Sequence, residues 1–367
     1  MAFDMPIYTP PDFTGPHLAE APVVNFALVS HPGAAPEHYH ATSVFPEYFQ
    51  LEKGYWVLLK ESRMDCVVVR REDGSLDVTE FRHLRPGDPV ALGRRENGED
   101  GIFVHTSGFG SPGHEEDKFS FRTRITRETS FSIDYDQLYE LLEYERQHGF
   151  VLWVLGPATV FDWDARESFE GLVERGYVHG VLAGNALGTH DVEAALFGTA
   201  LGQEIYSKHA VNLGHHKHLD AINKIRTHRS IKEAVENGLV KDGIMRALTL
   251  KKIPYVLAGS IRDDGPLPEV IADVYAAQDA MRLLTRKATT VIALATQLHA
   301  IATGNMVPSY AVTGGNQIRP VYFYTVDMSE FAANKLANRG SLTAHSILTN
   351  VQDFVVTVER GLRKRYG

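Results

Sequence analysis

Residues Leu257–Val270 read LAGSIRDDGPLPEV. The stretch holds an apolar strand end, a small-residue turn, Arg262, the adjacent carboxylates Asp263 and Asp264, and two prolines. A loop from strand to helix needs a turn glycine and a cap, but it has no need of Arg-Asp-Asp. Charges at the carboxyl end of a buried strand normally serve a ligand, because open α/β sheets bind theirs at that edge. Pro268 suits the start of a helix, on which Val270, Val274, Ala277 and Met281 follow. Tyr275 and Met281 read as its core-facing stripe.

Working outward, the chain from Asp134 onward alternates helix and strand. Asp134 with Gln137 has the form of a capping box, and Gly149 can end that helix. Phe150–Leu155 is a continuous apolar strand, as burial on both faces requires. A helix over 165–174 ending near Gly176, a strand over Tyr177–Leu182, and a second capping box at Ser230 and Glu233 with Gly238 as stop follow in turn. Tyr255–Ala258, Thr290–Ala295, Val321–Val326 and Ser346–Leu348 are further strands. The alternation predicts a doubly wound parallel sheet of Rossmann-like α/β type.

Residues 1–125 have a different grammar. Short apolar runs recur at Asn25–Val29, Tyr55–Leu59, Cys66–Val69, Leu76–Phe81, Val90–Leu92 and Ile102–Val104. Asp73-Gly74 and Arg85-Pro86-Gly87-Asp88 mark tight turns between them. This spacing predicts a small β-barrel-like N-terminal domain, with residues 126–367 as the α/β domain. Thr106–Asp117, rich in Gly, Ser, Pro and acids, reads as the linker.

The chain of 367 residues is 44% hydrophobic and 23% charged, ordinary for a soluble protein with a sizeable core. A formal charge of −9 argues against a nucleic-acid or anionic-membrane partner, which would need a basic face. No apolar run approaches a membrane span and the N-terminus has no signal pattern, so a cytoplasmic location is expected. Cys66 is the only cysteine, inside CVVV, and reads as a buried inert thiol.

Each strand of the second region ends in polar or small residues. Leu182 runs into Ala183-Gly184-Asn185-Ala186 and then Thr189-His190-Asp191. Ala295 runs into Thr296-Gln297-Leu298-His299, Val326 into Asp327, and Leu348 into Thr349-Asn350-Val351. A doubly wound sheet lays these ends along one crevice. The unit Thr290–Asp327 has the order of a mononucleotide-binding half, although no GxGxxG is present. Its terminal Asp327 suits the two ribose hydroxyls of NAD, and equally the N-cap of a helix starting near Glu330. Thr296 and the N–H groups after it suit a pyrophosphate. His215, His216 and His218 match no standard zinc spacing, so no metal is expected. His31, His38 and His40 read as solvated loop histidines, and Arg363-Lys364-Arg365 as the solvated basic tail of a terminal helix. Arg262 also suits an ion pair with Asp263 or Asp264.

These blocks together resemble the archaeal and cyanobacterial type of ornithine cyclodeaminase, the LOR/SDH domain. The resemblance runs over LAGNALGTHDVEAALFGTALG, GHHKHLDAINKIR, RSIKEAV, GIM, YVLAGSIRDDGPLP, LATQLHAIATGNMVPS, VDMSEFAANKLANRGS and LTNVQDF. It implies a Rossmann-like domain holding NAD through Asn185, Ala186, Asp264, Thr296, Gln297, Leu298, His299, Asp327, Asn350 and Val351. Three departures stand out. Asn350 replaces an aspartate of the family's TDV, the loop around Gly314–Arg319 is longer, and the N-terminal region does not look like the family's usual one.

The reaction implied is deaminating cyclisation of a basic amino acid, ornithine to proline and ammonia, with one hydride taken from Cα and later returned. Residue type and place make Asp263 the candidate general base, His299 or His190 the proton carrier, and Arg262 the holder of the substrate carboxylate. A plain NAD-dependent amino-acid or imine oxidoreductase, and a non-catalytic NAD-binding regulator, are the alternative readings. A homo-oligomer is expected.

Overall fold

The computed structural model describes residues 3–109, 132–314, 317–329 and 343–367. After a short helix α1 (Pro16–Ala19), seven strands form the N-terminal region: β1 (Asn25–Leu28), β2 (Glu47–Glu52), β3 (Tyr55–Leu58), β4 (Val67–Arg70), β5 (Leu76–Thr79), β6 (Pro89–Leu92) and β7 (Ile102–Val104). They make two antiparallel sheets, β1-β6-β4-β5 and β3-β2-β7. Phe49, Leu59, Cys66, Val68, Val78, Ala91 and Ile102 pack between the sheets as one core. The β4–β5 hairpin turns at Gly74, whose φ of +83° suits a residue without Cβ. Cys66 is fully buried, which raises its thiol pKa and leaves it inert.

Strand β2 escapes a reading for apolar runs because it buries Glu47 and Gln50. Both are satisfied: Glu47 accepts from the Ser43 and Ser62 hydroxyls, while Gln50 donates to the carbonyls of Ala21 and Pro22. His40 bonds the remaining Glu47 oxygen at 2.9 Å and is 1% exposed. The solvated reading of His40 is therefore corrected, whereas His31 and His38 are exposed.

The second region comprises α2 (Ser132–His148), β8 (Val151–Leu155), α3 (Trp163–Glu174), β9 (Gly180–Gly184), α4 (Asn185–Phe197), a ribbon of β10 (Thr199–Ala200) and β11 (Gln203–Glu204), α5 (Gly214–Thr227), α6 (Ile231–Glu236) and α7 (Ile244–Lys251). Then come β12 (Tyr255–Ala258), α8 (Val274–Thr285), β13 (Thr290–Leu294), α9 (Gln297–Met306), a hairpin of β14 (Tyr310–Thr313) and β15 (Gln317–Pro320), β16 (Tyr322–Asp327), β17 (Thr343–Leu348) and α10 (Val351–Tyr366). Six strands make one parallel sheet in the order β12-β9-β8-β13-β16-β17. In chain order this is 3-2-1-4-5-6, the dinucleotide-binding order with its switch point between β8 and β13.

Alternation along each strand fills both faces. Trp153, Val181, Ile292 and Tyr324 join one core with α2, α3 and α10, while Leu152, Val154, Val291 and Phe323 join the other with α8 and α9. Strands β8 and β13 are buried at every position, which is why they read as unbroken apolar runs. The buried pair Arg166–Asp191 fixes α3 to α4 at 2.7 Å, and Asp191 also accepts from the N–H groups of Ile244 and Met245 at the start of α7.

Several sequence expectations shift. Helix α2 already includes Ser132, so Asp134 lies inside it and does not cap it. The strand expected at Tyr177–Leu182 is Gly180–Gly184, since the buried Tyr177 and Val178 lie in the connection after α3, where the Tyr177 N–H donates to the Leu172 carbonyl. The helix expected from Pro268 begins at Val274, because Asp273 caps it through the N–H of Ala276 and Ile271 still pairs with Ala258. Tyr275 consequently faces outward, 61% exposed with Arg82 over its ring, whereas Met281 is core. Position 125, most of the expected linker and the segment beginning at Glu330 lie outside the described residues. The β sheets dock on α8 and the β14–β15 hairpin: Arg82 pairs with Asp279 at 2.6 Å, and the Tyr310 and Ser309 hydroxyls donate to the carbonyls of Leu59 and Val44.

Candidate active site

Register in the parallel sheet brings the chosen strand ends to one edge. Gly184 pairs with Ala258, Ala183 with Leu155, Leu155 with Leu294, Leu294 with Val326, and Asp327 with Leu348. The residues after these positions are the ones picked out in the sequence: Asn185 and Ala186, the Arg262–Asp264 turn, Thr296–His299, Asp327, and Asn350 with Val351. One crevice edge collects them all.

At the switch point the backbone comes unusually close to itself. The N–H of Gly156 donates to the carbonyl of Leu294 at 2.8 Å, and a Cβ on Gly156 would overlap the carbonyl of Ala295. Ala295 has φ +44°, a conformation that side chains rarely adopt, immediately before the helix start at Thr296. Strain of this kind collects where backbone shape serves a ligand. Neither Gly156 nor Ala295 was singled out in the sequence. Gly156-Pro157 directly after the apolar run Phe150–Leu155 was the available signal.

Helices α4 and α9 both start at this edge, and neither is closed by a capping side chain. Their first N–H groups are therefore aimed at the crevice with no capping hydroxyl or carboxylate of their own, as an anion site requires. The His299 ring lies against Gly184, where a Cβ would stand 3.1 Å from its Cε1, and its Nδ1 is 3.5 Å from the Thr296 hydroxyl. Burial pushes the His299 imidazole below its ordinary value, so the ring is neutral at pH 7. Helix α10 is capped by Asn350, whose side-chain oxygen accepts from the N–H of Gln352 at 2.8 Å. The Gln352 amide in turn donates to the carbonyl of Ala158 in the β8 turn. Asp327 accepts from the N–H of Ser329 at 2.8 Å.

The LAGSIRDDGPLPEV loop folds over the start of α4. Asp263 accepts from the N–H of Ser260 at 2.8 Å and from the Asn185 amide at 3.4 Å. The Asn185 side-chain oxygen accepts from the N–H of Leu267 and from the Thr189 hydroxyl, each at 3.1 Å. The ion pair considered for Arg262 is not formed with Asp263, which turns to Ser260 and Asn185 instead. Arg262 and Asp264 are exposed in this turn, next to the exposed Ile261. His190 is apart from this group, buried on the second turn of α4, with its Nδ1 2.8 Å from Glu193. Of the three further histidines, His215 and His216 are exposed at the start of α5, and the His218 ring is 6.3 Å from that of His190.

Residues 137–358 match the family model described as arginine dihydrolase ArgZ-like, C-terminal, Rossmann fold. The ornithine cyclodeaminase of Methanopyrus kandleri is 37% identical over 342 residues, covering 90% of this chain and 76% of that one. The crystal structure of a LOR/SDH protein from Methanococcus maripaludis overlays with a TM-score of 0.81 at 32% identity, covering 94% of this chain and 99% of that one. The overlay takes in most of the N-terminal β region, which is therefore shared with this relative. AgrE, a bifunctional arginine dihydrolase/ornithine cyclodeaminase of Nostoc, has a structure with ornithine and NAD+. It overlays with a TM-score of 0.59 at 28% identity, over 95% of this chain and 47% of AgrE. Among the described residues no helix is long and apolar enough to cross a membrane. The 3-2-1-4-5-6 sheet, the crevice built at its switch point and these likenesses agree: the chain belongs to the ornithine cyclodeaminase family.

Proposed function

We propose that this chain converts ornithine, or a close basic amino acid, to a cyclic imino acid and ammonia, using NAD that is regenerated within each turnover. The observation that carries the reading is the convergence of the Arg262–Asp264 turn, the uncapped starts of α4 and α9, and Asp327 on one crevice edge. When bound, NAD would supply a reversible hydride acceptor for the substrate Cα. The fit of a dinucleotide rests on the backbone: at the switch point Gly156 has no side chain and Ala295 only a methyl, and α4 and α9 start there without a side-chain cap.

Asn185 and Ala186 at the head of α4, Thr296 to His299 at the head of α9, and Asn350 and Val351 at the head of α10 line the cofactor's place, with Asp264 beside them. Asp327, at the end of β16, takes ribose hydroxyls, and its charge disfavours a 2′-phosphate. Arg262, exposed at the mouth, holds the substrate carboxylate in bidentate fashion. Asp263, held by Ser260 and Asn185, deprotonates the substrate ammonium before hydride loss and again before ring closure. Neutral His299 at the crevice wall, or His190 behind it, carries the proton onward. Loss of ammonia and ring closure then leave amino-acid carbon and nitrogen balanced as proline plus ammonia.

Incubating the purified chain with NAD and a panel of basic amino acids, with ammonia and cyclic products read by mass spectrometry, tests the proposal. Proline and equimolar ammonia from ornithine are expected. Reduced NAD accumulating in step with substrate loss would instead identify a plain oxidoreductase.

A further inference from the structure

Glu193 lies one turn beyond His190 on α4 and is completely buried. A carboxylate there costs several kcal/mol of desolvation unless its oxygens are occupied. Both are occupied: one oxygen takes Nδ1 of His190 at 2.8 Å, and the other takes the Thr199 hydroxyl at 2.9 Å. An ionised carboxylate only accepts, so the proton of this contact sits on Nδ1 of His190. Nε2 is then the nitrogen left to gain or lose a proton.

The ring is not fully sealed: the His190 side chain keeps 11% exposure. His190 is five residues from Asn185 at the head of the same helix, about 7.5 Å along the axis. Its ring packs edge-on to Phe161 at 5.3 Å, directly after the β8 turn that forms the switch point. His218 of α5 is the other titratable ring beside it, at 6.3 Å.

We propose that Glu193, held by Thr199, is a positioning residue that fixes His190 with its proton on Nδ1 and Nε2 available for proton transfer in the cyclodeaminase reaction. The inference rests on the reading of the crevice given above and adds a residue to it. The competing account is that the trio only ties α4 to β10. In Glu193→Gln the side chain can accept only one of the two contacts. If its amide N–H faces His190, the ring must carry its proton on Nε2, which reverses the role of that nitrogen.

Two measurements decide the matter. In the wild-type chain, nitrogen-15 NMR of His190 should show the proton on Nδ1; a proton on Nε2 alone overturns the proposal, whatever the substrate proves to be. In Glu193→Gln, kcat should fall by about 10²-fold or more while KM and NAD occupancy stay within about threefold, in line with loss of proton transfer. Wild-type kcat together with a lowered melting temperature would assign Glu193 to structure alone and overturn the proposal. Should the wild-type chain turn over no basic amino acid, the proposed function fails, and the NMR result alone then decides the proton placement.

Discussion

Asn185 and Asp263 meet at 3.4 Å across 78 residues of sequence, joining the first residue of α4 to the carboxylate of the Arg-Asp-Asp turn. The same Asn185 accepts from the Leu267 N–H, so helix start and loop form one unit. Of the two adjacent carboxylates, Asp263 is half-buried and bonded into this unit, whereas Asp264 is exposed.

That division separates two variants. Asn at 263 still accepts from the Ser260 N–H, so Asp263→Asn should retain fold and NAD affinity while turnover falls about 10²–10⁴-fold, the usual share of a general base. Asp264→Asn should weaken NAD first. Steady-state kinetics with cofactor occupancy measured in parallel check both, and near-normal turnover in Asp263→Asn removes the carboxylate from the chemistry.

Asp327 ends β16 with its carboxylate at the crevice edge. Asp327→Ala should weaken NAD by about 1–3 kcal/mol through loss of charge-assisted bonds to the ribose. Titration calorimetry with NAD and its 2′-phosphorylated form measures this, and the discrimination between them should narrow. An unchanged NAD affinity contradicts the assignment.

Gly156 has no room for a side chain, because an added Cβ would meet the backbone of Ala295 and Leu294, which belongs to a buried strand and cannot swing away. Gly156→Ala should cost about 1–3 kcal/mol of stability in urea denaturation, the range for overpacking, and should weaken NAD binding. Wild-type stability with wild-type binding would show that the close approach is incidental.

Burial lowers the imidazole pKa of His299, and of His179 and His105. The unfolded chain, with imidazoles near their ordinary value of about 6.5, binds more protons than the folded chain just below that pH. The stability these groups contribute is therefore complete above about pH 6.5 and declines as pH falls toward their lowered values. The urea midpoint should drop between about pH 7 and pH 5.5, and His299→Gln should flatten the slope. An identical slope in the variant would remove His299 from this dependence.

The parallel sheet was legible because its central strands are buried on both faces and stand out as apolar runs, and because Asn185, Thr296, Asp327 and Asn350 each follow one. Strand β2 was hidden by Glu47 and Gln50, polar side chains buried with partners that come from distant sequence. The helix start at Val274 was misplaced because a proline suggests an N-terminus, while Asp273 supplies the actual cap. Glu193 carries no sequence signal as a partner of His190 and Thr199, since an acid three residues from a histidine on a helix is commonplace. The contact of Gly156 with Ala295 depends on the strand order, which no local pattern encodes.

Hydride return is the centre of the account, and ornithine carrying deuterium at Cα tests it most directly. The purified chain with substoichiometric NAD should produce proline that retains the deuterium at its α-carbon, one ammonia per proline, and no net reduced cofactor. Proline lacking the deuterium, or turnover that stops once the NAD has been reduced, would contradict internal recycling and with it the proposed function.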